Sequence, residues 1–268
     1  MSNTLVVDTT LQAQQQAADF SILGFRSILP TITTVTGEGE DPLFPFANTL
    51  DFRDSTKYSP ISTNGSVVIT FNQSSIQTVD YFAFAIHNSQ DAGLTGQLEI
   101  DEGSGFVVVA EFVNIKNNRP FLKFFGTKNT QRQRLTLNFT SKLFIGTIYL
   151  GESVVFNRTP SLGFQPARFS PLDTVEQFTT DGNNFIIGRR INKGFQSKGT
   201  FRFVNFDDIE LIWEDFANHV LDSKPIFFQW SQVKDQTVFG IQPPNSLHKP
   251  TYVTSHHSDI SFVINGYA

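Results

Sequence analysis

The alternation Arg134-Leu135-Thr136-Leu137-Asn138-Phe139 constrains the fold more than any other feature of the chain. Apolar residues at every second position place Leu135, Leu137 and Phe139 on one side of an extended segment, the pattern of a strand half buried against a core. The same period governs Val67, Ile69 and Phe71, and again Phe82, Phe84 and Ile86, with Ala83, Ala85 and His87 opposite. Gly96–Asp101 and Phe106–Phe112 read as two strands joined by a hairpin turn at Glu102-Gly103-Ser104-Gly105. Leu143–Leu150 and Ser153–Phe156 follow, separated by Gly151. About seven or eight short strands at this spacing predict a mostly β chain whose main domain is an antiparallel β-sandwich or jelly roll. Phenylalanine, with 29 copies against one methionine, suits such a core, because its ring carries a large apolar area and no polar atom to satisfy. The same rings could also supply subunit interfaces.

Three segments are predicted. Residues 1–45 read as an N-terminal arm, in which Thr9 caps a short helix over Leu11–Ala18. Gln14–Gln16 gives that helix a weak apolar face, and Leu29-Pro30, Gly37, Gly39 and Pro42 then break regular structure, which suits a segment that runs over a neighbour. Residues 46–158 form the sandwich. Thr159-Pro160, Gly163 and Pro166 mark a boundary, and residues 159–268 read as a smaller β domain with strands at Asn184–Arg190, Thr200–Phe206, Ile226–Trp230 and Ile260–Ile264. One helix is predicted near residues 208–221. Asp207 or Asp208 caps it, Ile209, Ile212, Trp213, Phe216 and Val220 form its apolar stripe, and Pro225 prevents continuation. Trp213 on that stripe and Trp230 at the end of an apolar strand are both expected to be buried.

Composition excludes several functions. The formal charge is −5, and the densest basic stretch (Arg189, Arg190, Lys193, Lys198, Arg202) is interrupted by apolar and small residues, so nucleic acid is not the expected partner. Without cysteine there is neither a disulfide framework nor a thiolate metal site. Met1–Phe20 lacks a basic region followed by an apolar block, so no signal peptide is expected. No apolar run reaches the roughly 18 residues of a membrane-spanning helix. The Asn-x-Ser/Thr triplets at Asn64, Asn72, Asn138 and Asn157 are then chance matches to a glycosylation signal.

No phosphate-binding glycine loop, zinc-protease motif or nucleophile elbow is present. The pairs Asp51/Asp54, Asp101/Glu102 and Asp207/Asp208 each have a structural reason in a polar loop, a turn or a helix start, and no acid/base pair stands out. His256-His257, with His248, are the remaining candidates for a metal, but adjacent strand residues point to opposite faces. No catalytic, cofactor or metal residue is therefore assigned, and no cofactor is expected. The loop His87-Asn88-Ser89-Gln90-Asp91-Ala92-Gly93 is the candidate for binding: it leaves an apolar strand with a polar cluster. His87, Asn88 and Asp91 either close the turn through their own side chains or meet an external ligand or partner.

Ala47-Asn48-Thr49-Leu50, the run Asp80 to Asn88, Gly93 and Gly96-Gln97-Leu98-Glu99-Ile100 together resemble a galactose-binding-like (discoidin-type) jelly roll. Arg132–Phe139 and Ile145–Gly151 resemble its closing strands, so the resemblance covers about residues 45–157. Pro166, Thr180–Arg189, the later helix and Pro225–Trp230 resemble the rear half of tail-tip proteins of long-tailed bacteriophages. The resemblance to a phage distal tail or minor tail protein implies a structural virion protein, not an enzyme. Such a protein would be assembled in the host bacterial cytoplasm into a trimeric or hexameric ring joining the tail tube to distal components. It would take other tail proteins as partners, possess no membrane insertion, and have host-surface carbohydrate as a further partner. The alternative is a carbohydrate-binding adhesion module with no ring-forming role.

Overall fold

The computed structural model describes residues 19–29, 33–37, 39–50, 56–113, 115–156, 158–161, 163–179, 186–234, 236–247, 250–254 and 256–267. The expected helix over Leu11–Ala18, the Asp51/Asp54 pair and His248 lie outside these residues. The chain divides into two compact units, one of Ile22–Val154 and one of the segment ending at Ser21 together with Val155–Ala268. Short strands β1 (Ser21–Gly24) and β8 (Val154–Phe156) lie where the chain passes between units.

The first unit contains β2 (Thr33–Gly37), β3 (Gly65–His87), β4 (Thr95–Asp101), β5 (Phe106–Phe112), β6 (Phe121–Phe139) and β7 (Ile145–Gly151). They pair antiparallel in the order β2-β3-β6-β4-β5, with β7 also on β3. The runs Val67–Phe71 and Phe82–Ile86, predicted as separate strands, are two halves of the 23-residue β3. Neither glycine nor proline lies between them, so nothing stops the extended chain; the ladder with β6 instead slips between Asn72 and Gln77 and between Val79 and Tyr81. The first half of β3 pairs with β2 and β6, and the second half lies between β6 and β7, with Phe82 opposite both Lys123 and Leu150. Residues expected in an extended arm are built into this unit. Val35 pairs with Ile69, Ile28 N–H donates to the Leu150 carbonyl, and Phe25 is buried.

The core of this unit holds Val67, Ile69 and Phe71 of β3 against Leu135, Leu137 and Phe139 of β6, as the alternation requires. Phe82, Phe84, Phe112 and Phe121 form a second aromatic group, with ring centroids 4.9–6.0 Å apart. Such pairs add about 0.5–1.5 kcal/mol each beyond the area they bury. The hairpin between β4 and β5 falls where the sequence places it. Gly103 and Gly105 have φ of 103° and 109°, and their N–H groups both donate to Asp101 Oδ1, at 2.8 and 3.0 Å.

The second unit contains β9 (Pro171–Thr179), β10 (Ile186–Asn205), α1 (Phe206–Leu221), β11 (Ile226–Gln229), β12 (Thr237–Ile241), β13 (Thr251–Thr254) and β14 (His257–Tyr267). Its antiparallel order is β11-β12-β14-β10-β9, with β13 also on β14. The two strands predicted within residues 184–206 are one strand, β10: Gly194 and Gly199 lie between them, but both stay in the ladder, opposite Leu172 of β9 and Phe262 of β14. Helix α1 buries Phe216 and Val220 and ends at Leu221, and the turn that follows is closed by the Ser223 N–H, which donates to the Val220 carbonyl at 2.9 Å. Trp213 and Trp230, expected to be buried, are half-buried. Trp230 keeps its indole N–H at the strand end, where it donates to Gln236 Oε1 at 3.1 Å. Much of the phenylalanine excess sits in the two cores: in this unit Phe201 stacks on Phe156 at 4.0 Å and meets Phe262, which meets Phe228.

Candidate functional site

The loop after β3 brings His87, Asn88 and Asp91 together, and its hydrogen bonds run inward. Ile86 enters the turn at φ 56°, an uncommon backbone for a β-branched residue, and faces Gly146, where a Cβ would lie 2.7 Å from the Ile86 Cβ. His87 is buried, its Nδ1 accepts the Ser89 N–H at 3.2 Å, and its Nε2–H donates to the Arg119 carbonyl at 2.7 Å. Those partners define a neutral ring protonated on Nε2, and burial pushes its pKa down to about 4. Asn88 donates through Nδ2 to the Lys142 carbonyl at 2.8 Å and accepts the Phe144 N–H at 2.7 Å. Asp91 Oδ2 accepts from Asn118 Nδ2 at 2.8 Å, while Asn118 Oδ1 accepts the Gln90 N–H at 2.8 Å. The three side chains thus tie the loop to residues 118–119 and 142–144, the turn-closing use that their residue types permit.

A second set of polar side chains lies on the outer face of the sheet, where Glu99 is buried and Arg132 and Arg134 keep solvent exposure. The period that buries Leu98, Ile100, Leu135 and Leu137 sends Glu99, Asp101, Arg132 and Arg134 to the other side. Register sets them in rows: Phe106, Asp101 and Arg132 in one, Val108, Glu99 and Arg134 in the next. Arg134 makes a two-pronged contact with Glu99, Nε to Oε2 at 2.6 Å and Nη2 to Oε1 at 2.7 Å. Its guanidinium lies 4.4 Å from the Phe106 ring centroid, and that of Arg132 lies 5.2 Å from the same ring. Arg132 also reaches Asp101 at 3.5 Å, and Lys128 reaches Glu102 at 3.2 Å.

These contacts settle the charge state of the face. Hydrogen bonds from Arg134 hold the Glu99 carboxyl below the usual range, and Glu99 in turn raises the Arg134 guanidinium. The Gly103 and Gly105 N–H groups, helped by Arg132, lower Asp101. Both carboxyls stay ionised, which suits accepting hydrogen bonds and does not suit giving up a proton as an acid. Arg134 Nη1 takes part in neither bond to Glu99, and the side chain keeps 37% exposure. A planar donor is therefore fixed by a carboxylate fork and an aromatic ring, with further donors open to solvent. Sequence reading missed this face because its alternation names the outward residues of each strand but not that β4 lies between β5 and β6. Polar residues recurring two apart at Gln97, Glu99 and Asp101, and at Arg132, Arg134 and Thr136, were the available signal.

Among the described residues no group of three or more His, Asp or Glu side chains could hold a metal ion. His257 Nδ1 meets Thr254 Oγ1 at 3.1 Å. No helix among the described residues is long and apolar enough to cross a membrane.

No protein-family model matches the chain, and no curated protein matches it. Solved structures similar to it include a Bacteroides thetaiotaomicron protein assigned as an alpha-L-fucosidase, at 12% identity and TM-score 0.39; 47% of this chain aligns with 28% of that one. Chitosan-binding module 1 of a chitosanase/glucanase from Paenibacillus sp. IK-5 is 13% identical, with 48% of this chain on 98% of that one and a TM-score of 0.38. A module from Clostridium perfringens solved with GalNAc-β-1,3-galactose is 12% identical, with 45% on 95% and a TM-score of 0.38.

Proposed function

We propose that this chain is a non-catalytic carbohydrate-binding protein whose first unit takes a glycan on the outer face of the β4–β5–β6 sheet. The observation that carries the reading is the Glu99–Arg134 fork stacked on Phe106, a rigid set of donors and acceptors that needs little ordering when a hydroxyl-rich ligand arrives. Its charges are matched, Arg132, Arg134 and Lys128 against Asp101, Glu99 and Glu102, so the face offers hydrogen bonds with little net field. The test is calorimetric titration of the intact protein with soluble neutral polysaccharides, comparing wild type with Arg134→Ala. Binding that Arg134→Ala leaves unchanged overturns the assignment of the face.

A second reading, a tail-tip component of a long-tailed phage, is favoured by a different observation. β5 ends the strand order, and Val107, Val108 and Val113 on or beside it are 56%, 41% and 62% exposed. An apolar sheet edge of this kind is a template for pairing with another chain. In this reading the protein joins a trimeric or hexameric ring in the virion, built in the host bacterial cytoplasm, and presents its glycan face to the host surface. Light scattering across a concentration series tests it: a discrete closed oligomer supports the ring, and a persistent monomer counts against it.

A further inference from the structure

We infer that the bulge at Phe203 is a second sugar contact, on the other unit, where the Phe203 ring stacks on a sugar and His257 supplies hydrogen bonds beside it. The inference rests on the carbohydrate-binding reading. β10 and β14 pair in step from Phe195 opposite Gly266 to Phe201 opposite Ile260; the ladder then breaks and resumes with Val204 opposite Ser258. Phe203 occupies the break with φ 55°, a conformation that bulky residues rarely adopt. Its N–H donates to Asp259 Oδ1 at 3.0 Å, which holds the strained backbone in place. The result is an aromatic side chain expelled from the ladder and 50% exposed, when the period of β10 would otherwise keep it in register.

The surroundings favour a sugar over a protein partner. The His257 ring stands edge-on to Phe203, with centroids 6.5 Å apart, and Thr254 Oγ1 fixes its Nδ1 side at 3.1 Å. Arg202 and Asn205, on either side along β10, are exposed and polar, as is Thr254. One half-open ring with polar neighbours fits the apolar face and hydroxyl rim of a sugar, while a protein anchor wants a broad apolar surround. Val204, next to Phe203, is half-buried, and the exposed Val253 and Tyr252 lie on the neighbouring strand β13.

Phe203→Gly separates function from structure, because glycine adopts φ 55° without strain while losing the ring. The intact variant should melt at a higher temperature than wild type yet bind laminarin, xyloglucan or galactomannan, whichever wild type binds, about two- to tenfold more weakly. Phe203→Asn, which tolerates the same backbone, should weaken binding equally. Unchanged affinity in both variants, with Arg134→Ala still impaired, overturns this contact and leaves the first one standing. If wild type binds none of the three, the carbohydrate reading falls and this contact with it. A change of oligomer size in Phe203→Gly without a change of affinity overturns it in favour of a protein contact.

Discussion

Asp80 and His87, seven positions apart on one strand, are buried groups whose contributions to stability change with pH in opposite senses. Asp80 is 5% exposed, and burial raises its carboxyl from 3.8 to about 6, although it accepts the Ser153 N–H at 2.8 Å. Between those values the folded chain keeps a proton that the unfolded chain has released, so the contribution of Asp80 falls as pH rises from about 4 to 6. By neutral pH this costs on the order of 3 kcal/mol. His87, lowered from 6.5 to about 4, works the other way: its contribution is complete above pH 6.5 and fades as pH falls toward 4. Glu99 and Asp101, both held low, lose their contributions as pH falls through the acid end of this window and below it. His219, also lowered by burial, acts in the same sense as His87, so in urea unfolding of wild type Asp80 should offset part of the rise in stability that the two histidines give between pH 4 and 6. Asp80→Asn should be more stable at pH 7 and should regain a clear rise in stability from pH 4 to 6.5. A variant with the same pH profile as wild type would show that Asp80 does not titrate as described.

At the scale of elements, the β4–β5 hairpin joins the sequence most directly to the candidate site. Its turn was legible because glycine pairs mark φ above zero, and because Asp101 can cap a turn through its carboxylate. The same carboxylate then stands in the row with Phe106 and Arg132. Asp101→Ala should lower stability and speed amide exchange in Gly103 and Gly105; exchange at the wild-type rate would remove Asp101 from the turn. Helix α1 was equally legible, since Phe216 and Val220 fall on its apolar stripe. Strand lengths were not. Alternation reports which face each residue takes, and it is blind to whether two runs such as Val67–Phe71 and Phe82–Ile86 belong to one strand. Nor could it place Arg134 beside Glu99, 35 positions away, because that pairing depends on strand order. The polar loop at His87 drew notice because its residue types are conspicuous, while the sheet face is spread over three strands.

For the whole molecule, the mostly β architecture follows from the alternation, and its two units each form their own core of phenylalanine. The exposed valines of β5 bear on assembly. If that edge joins copies of the chain, Val107→Lys should lower the mass seen by light scattering, since a charge on an open edge opposes strand pairing; an unchanged oligomer would exclude the edge from the contact. The glycan face bears on binding, and titration of the intact protein with neutral polysaccharide tests it most directly, with wild type, Arg134→Ala and Arg134→Lys side by side. Lysine keeps the charge and loses the fork. The account predicts binding by wild type, a loss of about tenfold or more in Arg134→Ala, and no recovery in Arg134→Lys, with all three proteins folded by circular dichroism. Equal affinity in the three, or no binding by wild type, would contradict it.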